Sequence, residues 1–211
     1  MCRHYLCLSA LVLCILPAKA DLINDPVGDT FGIGPVQIDI VSYSAVANDV
    51  STLFTVHFAD PISPADAGAA NSVAGFVEID FDNNPLTGDT PLINVLSPGP
   101  PILLGVDYRV DLGSEMFHPG SVDFDEAVTS TLIADVPISY GPSTLSFSVP
   151  VSSVFNYGIV VGTLSEPTDR APNGEIPSQS DLMPTPEPNF TVLLGAALAL
   201  VAVLRRWYEY R

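Results

Sequence analysis

The chain has 211 residues with 24 Asp and Glu against 7 Lys and Arg, a formal net charge of −17 at pH 7. So anionic a chain repels phosphate backbones, which excludes nucleic-acid binding through an electrostatic footprint. Its three cysteines, Cys2, Cys7 and Cys14, all fall in the first fourteen residues, so the remainder has no disulfide, thiolate zinc site or cysteine nucleophile.

The first element is a leader. Arg3 precedes a short apolar run, Leu6 to Leu16, and Pro17-Ala18-Lys19-Ala20 closes it with an Ala-x-Ala pattern. These features predict a secretory signal peptide over 1–20, removed before Asp21. Leu6 before Cys7 and Leu13 before Cys14 are too large for a lipidation site.

The body then runs from Asp21 to about residue 165, long enough for one domain with its own core. Counted to Leu182, it holds seventeen Asp and five Glu against Arg109 and Arg170 with no lysine, so 2 − 22 gives −20. Short segments alternate between apolar and polar residues. Phe54, Val56 and Phe58 flank Thr55 and His57; Val77, Ile79 and Phe81 flank Glu78 and Asp80; Leu104 to Leu112 alternates over nine residues; and Leu145, Phe147 and Val149 alternate with small polar residues. Each predicts a strand with one buried face. Further strands are expected at Ile38 to Val46, Thr129 to Ala134 and Tyr157 to Leu164, the last apolar on both faces and therefore central. Seven or eight such strands predict an all-β fold, a two-sheet antiparallel β-sandwich, with a closed barrel as the alternative.

One loop concentrates oxygen donors: Asp80-Phe81-Asp82-Asn83-Asn84-Pro85-Leu86-Thr87-Gly88-Asp89. Alternate side chains at Asp80, Asp82 and Asn84 point to one side at a strand end, and a turn returns Thr87 or Asp89 toward them. Hard oxygen ligands of this kind suit Ca²⁺. The loop is not an EF-hand, because Pro85 and Pro91 stand where that motif needs glycine and glutamate. Asp, Asn, Pro and Gly are also turn residues, so a long hairpin connection is the equal alternative. The string D-x-D-x-N-x-x-T-G, with Asp25-Pro-Val-Gly-Asp29 and the strand at Gly105-Val-Asp107-Tyr-Arg-Val, resembles secreted bacterial β-sandwich proteins of the DOMON-like and carbohydrate-binding kind. That resemblance implies that Asp25 and Asp29 lie beside the same acidic edge.

Asp107, Arg109 and Asp111 are expected to share the outward face of one strand as a neutralising cluster. Asp123, Asp125 and Glu126 read as a solvated loop or edge, with a further cation site as the lesser alternative, and His57 and His118 as isolated surface residues. No Gly-x-Ser-x-Gly elbow, phosphate loop, dinucleotide fingerprint or His-Glu-x-x-His helix is present, and no catalytic carboxylate pair stands out. The chain therefore reads as no enzyme.

From Glu166 the composition turns to Pro, Thr, Ser, Asn and Asp, predicting a flexible linker over 166–185. Phe190 to Leu204 is then fifteen residues without charge, a helix of roughly 22 Å that enters a membrane with aromatic support from Trp207, Tyr208 and Tyr210. Arg205 and Arg206 set the C-terminus inside and the body outside.

The order Pro186-Glu187-Pro188, apolar span, Arg205-Arg206 resembles the PEP-CTERM sorting signal of Gram-negative bacteria that make exopolysaccharide. The resemblance covers 186–211, with a transmembrane helix at 190–204. It implies an exosortase-type membrane protease as partner, anchoring in the inner membrane with the body in the periplasm, then release to the cell surface or medium. The expected function is a non-catalytic surface or matrix protein associated with exopolysaccharide and stiffened by Ca²⁺. The alternative is a secreted carbohydrate-binding module with a calcium-stabilised loop, for which Tyr43, Phe117, Tyr140 and Tyr157 are the candidate sugar platforms.

Overall fold

The structure is a computed structural model that describes residues 22–172, with 153 and 155 excepted. The predicted leader, the Pro-Glu-Pro triplet, the 190–204 span and Arg205 and Arg206 lie outside the described residues. Among the described residues, no helix is long and apolar enough to cross a membrane.

The body is mostly β. Among the described residues, ten strands form it: β1 (Ile23–Asn24), β2 (Ile40–Ala47), β3 (Thr52–Phe58), β4 (Ala74–Asp80), β5 (Tyr108–Asp111), β6 (Ser121–Glu126), β7 (Thr131–Gly141), β8 (Thr144–Val149), β9 (Asn156–Gly162) and β10 (Pro167–Ala171). All pairings are antiparallel, in the order β1, β2, β3, β8, β7, β6, β5, β4, β9, β10. The two expected sheets are therefore continuous, a single sheet that curls on itself. The join is β7, which pairs with β6 from Thr131 to Pro137 and with β8 from Ile138 to Gly141. Pro137, which has no N–H to donate, marks the residue where the strand changes partner.

Curling encloses one apolar core between the two wings. Phe54, Val56, Leu145 and Phe147 line it from one wing, and Val77, Val110, Phe124 and Ile159 from the other. Tyr157 of β9 sets its ring edge-on to Tyr43 of β2, centroids 5.7 Å apart, and to Phe54 of β3 at 5.2 Å. Each such buried ring stabilises the curl by about 1.5–3 kcal/mol.

A second, smaller core explains the apolar run in β9. Ile93, Ile102, Leu104, Val106, Ala127 and Val160 pack together on the outer face with Phe76 against them. The covering segment includes the four-residue helix α1 (Ile93–Leu96). β9 is thus buried on both faces as expected, but it lies next to the edge instead of centrally. The cover comes from a loop, not from a neighbouring layer of sheet. The same cover shortens the expected strand at Leu104 to Leu112: only Tyr108–Asp111 joins the sheet.

Two expectations are corrected here. The linker predicted over 166–185, of which 173–185 lie outside the described residues, does not begin at residue 166, because Pro167–Ala171 is a strand with Thr168, Asp169, Arg170 and Ala171 buried. Its residues are polar because they close a seam by hydrogen bonding. Thr168 Oγ1 accepts from Ile38 N at 2.9 Å and donates to Ile38 O at 2.8 Å, while Asp169 Oδ2 accepts from Ile40 N at 2.7 Å. Such a strand has no apolar periodicity to betray it. The acidic stretch Ser121–Glu126 is likewise a strand instead of a solvated loop, with Val122 and Phe124 inward between its acids.

Candidate cation site

The site is built where β4 ends. Ile79 pairs with Tyr108 across β4 and β5, which brings Asp107, the residue before Tyr108, beside Asp80, the residue after Ile79. The next residues turn away from the sheet, and Asp107 Oδ2 holds that turn by accepting from Phe81 N at 2.7 Å and Asp82 N at 3.3 Å. Asp82 Oδ1 in turn accepts from Asn84 N at 2.9 Å, and the Thr87 hydroxyl donates to both Asp82 oxygens at 3.1 and 3.0 Å. The loop is pressed close to the 105–107 segment. A side chain at Gly105 would run into the carbonyl oxygens of Asn84 and Thr87, and one at Gly88, where φ is +76°, into Val106 O. Only glycine allows this approach.

As a result, Asp80, Asp82 and Asp107 each place a carboxylate oxygen within 4.8 Å of the others. Asp82 is exposed and Asp107 half-buried, but Asp80 is 0 % exposed. Neither Asp80 oxygen has a hydrogen-bond partner of ordinary geometry, although the N–H groups of Asn83 and Asn84 lie near enough to ease its charge. Burial pushes its pKa up, against those two N–H groups, and the Asp107 and Asp82 charges push it further.

Of the five ligands expected from sequence, Asp80 and Asp82 converge. Asn84 and Thr87 serve the loop itself: Asn84 Oδ1 accepts from Leu86 N at 3.2 Å, and Thr87 is bound to Asp82 as above. Asp89 is turned elsewhere, to Arg109 at 3.3 Å. Arg109 also binds Glu78 Oε1 at 3.0 Å, and the Glu78 carboxylate accepts from Leu92 N and Ile93 N at 2.8 and 2.9 Å. The expected cluster of Asp107, Arg109 and Asp111 does not form, since β5 begins only at Tyr108 and Asp111 accepts from Gly113 N. Sequence reasoning missed Asp107 as a site residue; pairing the two alternating segments in antiparallel register would have found it.

Among the described residues, two other acidic groups come together. Asp25, Asp29 and Asp169 meet at the seam, at the other end of the sheet, because Asp80 pairs with Asn156 and Asp169 with Val161 on the same strand. Five residues at about 3.3 Å each separate the two levels by roughly 16 Å, so Asp25 and Asp29 do not share the Asp80 edge. At the seam, Asp169 accepts from both Ile40 N and Arg170 N, and Asp39 Oδ2 accepts from Gly28 N. Burial, with the Asp169, Asp29 and Asp39 charges, pushes Asp25 up to about 8; burial with Asp29 and Asp39 pushes Asp169 up to about 7. The third group is a row across β5, β6 and β7, where Asp111 faces Asp123 and Asp123 faces Asp135. His118, isolated in sequence, reaches Asp123 at 3.1 Å and Asp135 at 3.6 Å.

The candidate sugar platforms divide unequally. Tyr43 and Tyr157 are each 2 % exposed, and Tyr140 is partly buried with its hydroxyl donating to Glu115 at 2.7 Å. Phe117 alone of the four is exposed, at 77 %. No family model, curated protein or solved structure matches this chain.

Proposed function

We propose that the chain is an exported, non-catalytic protein of the cell surface or extracellular matrix, held at the inner membrane by its C-terminal span until an exosortase-type protease acts at Pro186 to Pro188. The observation that carries this reading is the tail's ordered succession of Pro186-Glu187-Pro188, the uncharged span and Arg205-Arg206, together with a leader at the other end. The body is read as a β-sandwich folded at β7, its two wings facing across one core, and its acidity suits it to an exterior rich in cations and exopolysaccharide. Sugar stacking is the weaker reading of its role, since three of the four candidate rings are engaged in packing or hydrogen bonding instead of lying open.

The test is intact-mass and C-terminal mapping of protein recovered from its native host, with and without the processing enzyme. The expected C-terminus lies between Pro186 and Pro188 in the presence of the enzyme. Recovery of a surface form that still carries Trp207 overturns the proposal.

A further inference from the structure

We propose that Asp80, Asp82 and Asp107 bind a divalent cation, Ca²⁺, at the corner where β4 passes into the 81–92 loop. Three carboxylates whose oxygens lie within 4.8 Å of one another repel strongly unless something positive stands between them. Asp80 adds the independent evidence. It is fully buried, neither of its oxygens has a hydrogen-bond partner of ordinary geometry, and it points into the same space as the other two. An ionised carboxylate so placed costs several kcal/mol unless it is paired or coordinates a metal.

The surroundings suit calcium. All three ligands are hard oxygens with neither imidazole nor thiolate among them, which disfavours zinc and copper. Asp82 and Asp107 are oriented by Asn84 N, Thr87 Oγ1, Phe81 N and Asp82 N, and each carboxylate has lone pairs beyond those bonds. Three carboxylates supply three to six of the six to eight oxygens that Ca²⁺ takes. Exposed Asp82 leaves the outer side open for water and for entry of the ion. Mg²⁺ dehydrates reluctantly and demands a stricter octahedron, so it binds this mixed, half-open set more weakly. The ion would tie the start of the loop to β5, complementing the Asp89–Arg109–Glu78 clasp at the other end of that loop.

The seam and the His118 row do not compete for this assignment. Asp169 has a backbone donor on each oxygen, and Asp123 and Asp135 already face His118. The proposal is also independent of the export reading, because it concerns only the folded body.

The experiment uses the full chain in detergent micelles and terbium as the probe, sensitised by Tyr108, whose ring packs on Phe81 with centroids 6.0 Å apart. One class of site is expected, displaced by Ca²⁺ and at least ten-fold less readily by Mg²⁺. Asp82→Asn and Asp107→Asn should each weaken terbium binding at least ten-fold, while Asp169→Asn leaves it unchanged. Ca²⁺ at a hundred-fold excess over its Kd should raise Tm by roughly 5–10 °C in the unsubstituted chain, and by less than half as much in either variant. Asp82 is exposed, so its variant reports on binding even if Asp80→Asn does not fold. Terbium emission unaltered in both variants, emission lost only in Asp169→Asn, equal displacement by Mg²⁺, or a Tm indifferent to Ca²⁺ would each overturn the proposal.

Discussion

The corner and the seam each gather three aspartates, yet they bear that crowding differently. At the seam, backbone donors reach in: Ile40 N and Arg170 N satisfy Asp169, and Gly28 N satisfies one oxygen of Asp39. Burial and like charge also favour the protonated acids there, with Asp25 and Asp169 pushed up to about 8 and about 7. At the corner, the backbone donors are spent on Asp107 and Asp82, the outer pair, and the innermost carboxylate has none of ordinary geometry. Like charges brought together by folding can be eased by donors, by protons or by a cation. The seam uses the first two and is thereby a structural device. The corner leaves its most buried acid for the third, and it opens to solvent where an ion can enter.

The largest expected effect of a single substitution tests whether the corner is a rigid frame. Glu78 is 0 % exposed and gathers Leu92 N, Ile93 N and Arg109 on one carboxylate. Glu78→Ala strands two backbone donors and a partly buried guanidinium, so urea unfolding should show a loss of about 3–5 kcal/mol at unchanged m-value. Glu78→Gln, which retains an acceptor, should lose less. A loss below about 1 kcal/mol in Glu78→Ala would mean that solvent, not Glu78, holds the base of the loop.

The seam should respond more modestly. Asp169→Ala leaves Ile40 N without its acceptor in a buried place, at an expected cost of about 1–3 kcal/mol. Removal of its charge also relieves Asp25, which keeps the net effect at the lower end. Hydrogen exchange at the Ile40 amide is the direct measurement, and it should quicken in the variant. If Ca²⁺ slows that exchange in the unsubstituted chain but not in Asp169→Ala, the seam is a cation site and the contrast with the corner collapses.

What the sequence disclosed follows the same division. Strands that bury alternate apolar residues were legible: Phe54, Val56 and Phe58 in β3, or Leu145, Phe147 and Val149 in β8, each point one way into the core. β10 was not, because Thr168 and Asp169 are buried for their hydrogen bonds, and polar residues doing backbone work look like a linker. β6 was obscured by Asp123, Asp125 and Glu126, whose outward charges hide the inward pair Val122 and Phe124. At the site, local spacing disclosed Asp80 and Asp82, which are two residues apart. Asp107 is 25 positions beyond Asp82 and arrives only through the register of β4 with β5. Asp89 was expected to join them on spacing alone, but Arg109 draws it to the other side of the loop.

The last contrast separates the two regions by sign. In chelator, the seam acids hold folded pKa values of about 8 for Asp25 and about 7 for Asp169, against about 3.9 in an unfolded chain. The folded state therefore binds more protons than the unfolded state from about pH 4 to pH 8, and stability falls as pH rises through that window before levelling off. Between pH 5 and pH 8.5, release of protons held at about 8 and about 7 costs on the order of 6 kcal/mol, so Tm should drop by roughly 10 °C or more, and Asp169→Asn should flatten the slope. The corner runs the other way once Ca²⁺ is added, because its carboxylates bind the ion only when deprotonated. The gap between melting curves recorded in Ca²⁺ and in chelator should widen with pH, even as the chelator curve declines. Parallel curves would assign both regions the same remedy, protons, and a chelator curve that climbs toward pH 8 would remove the seam's proton uptake altogether.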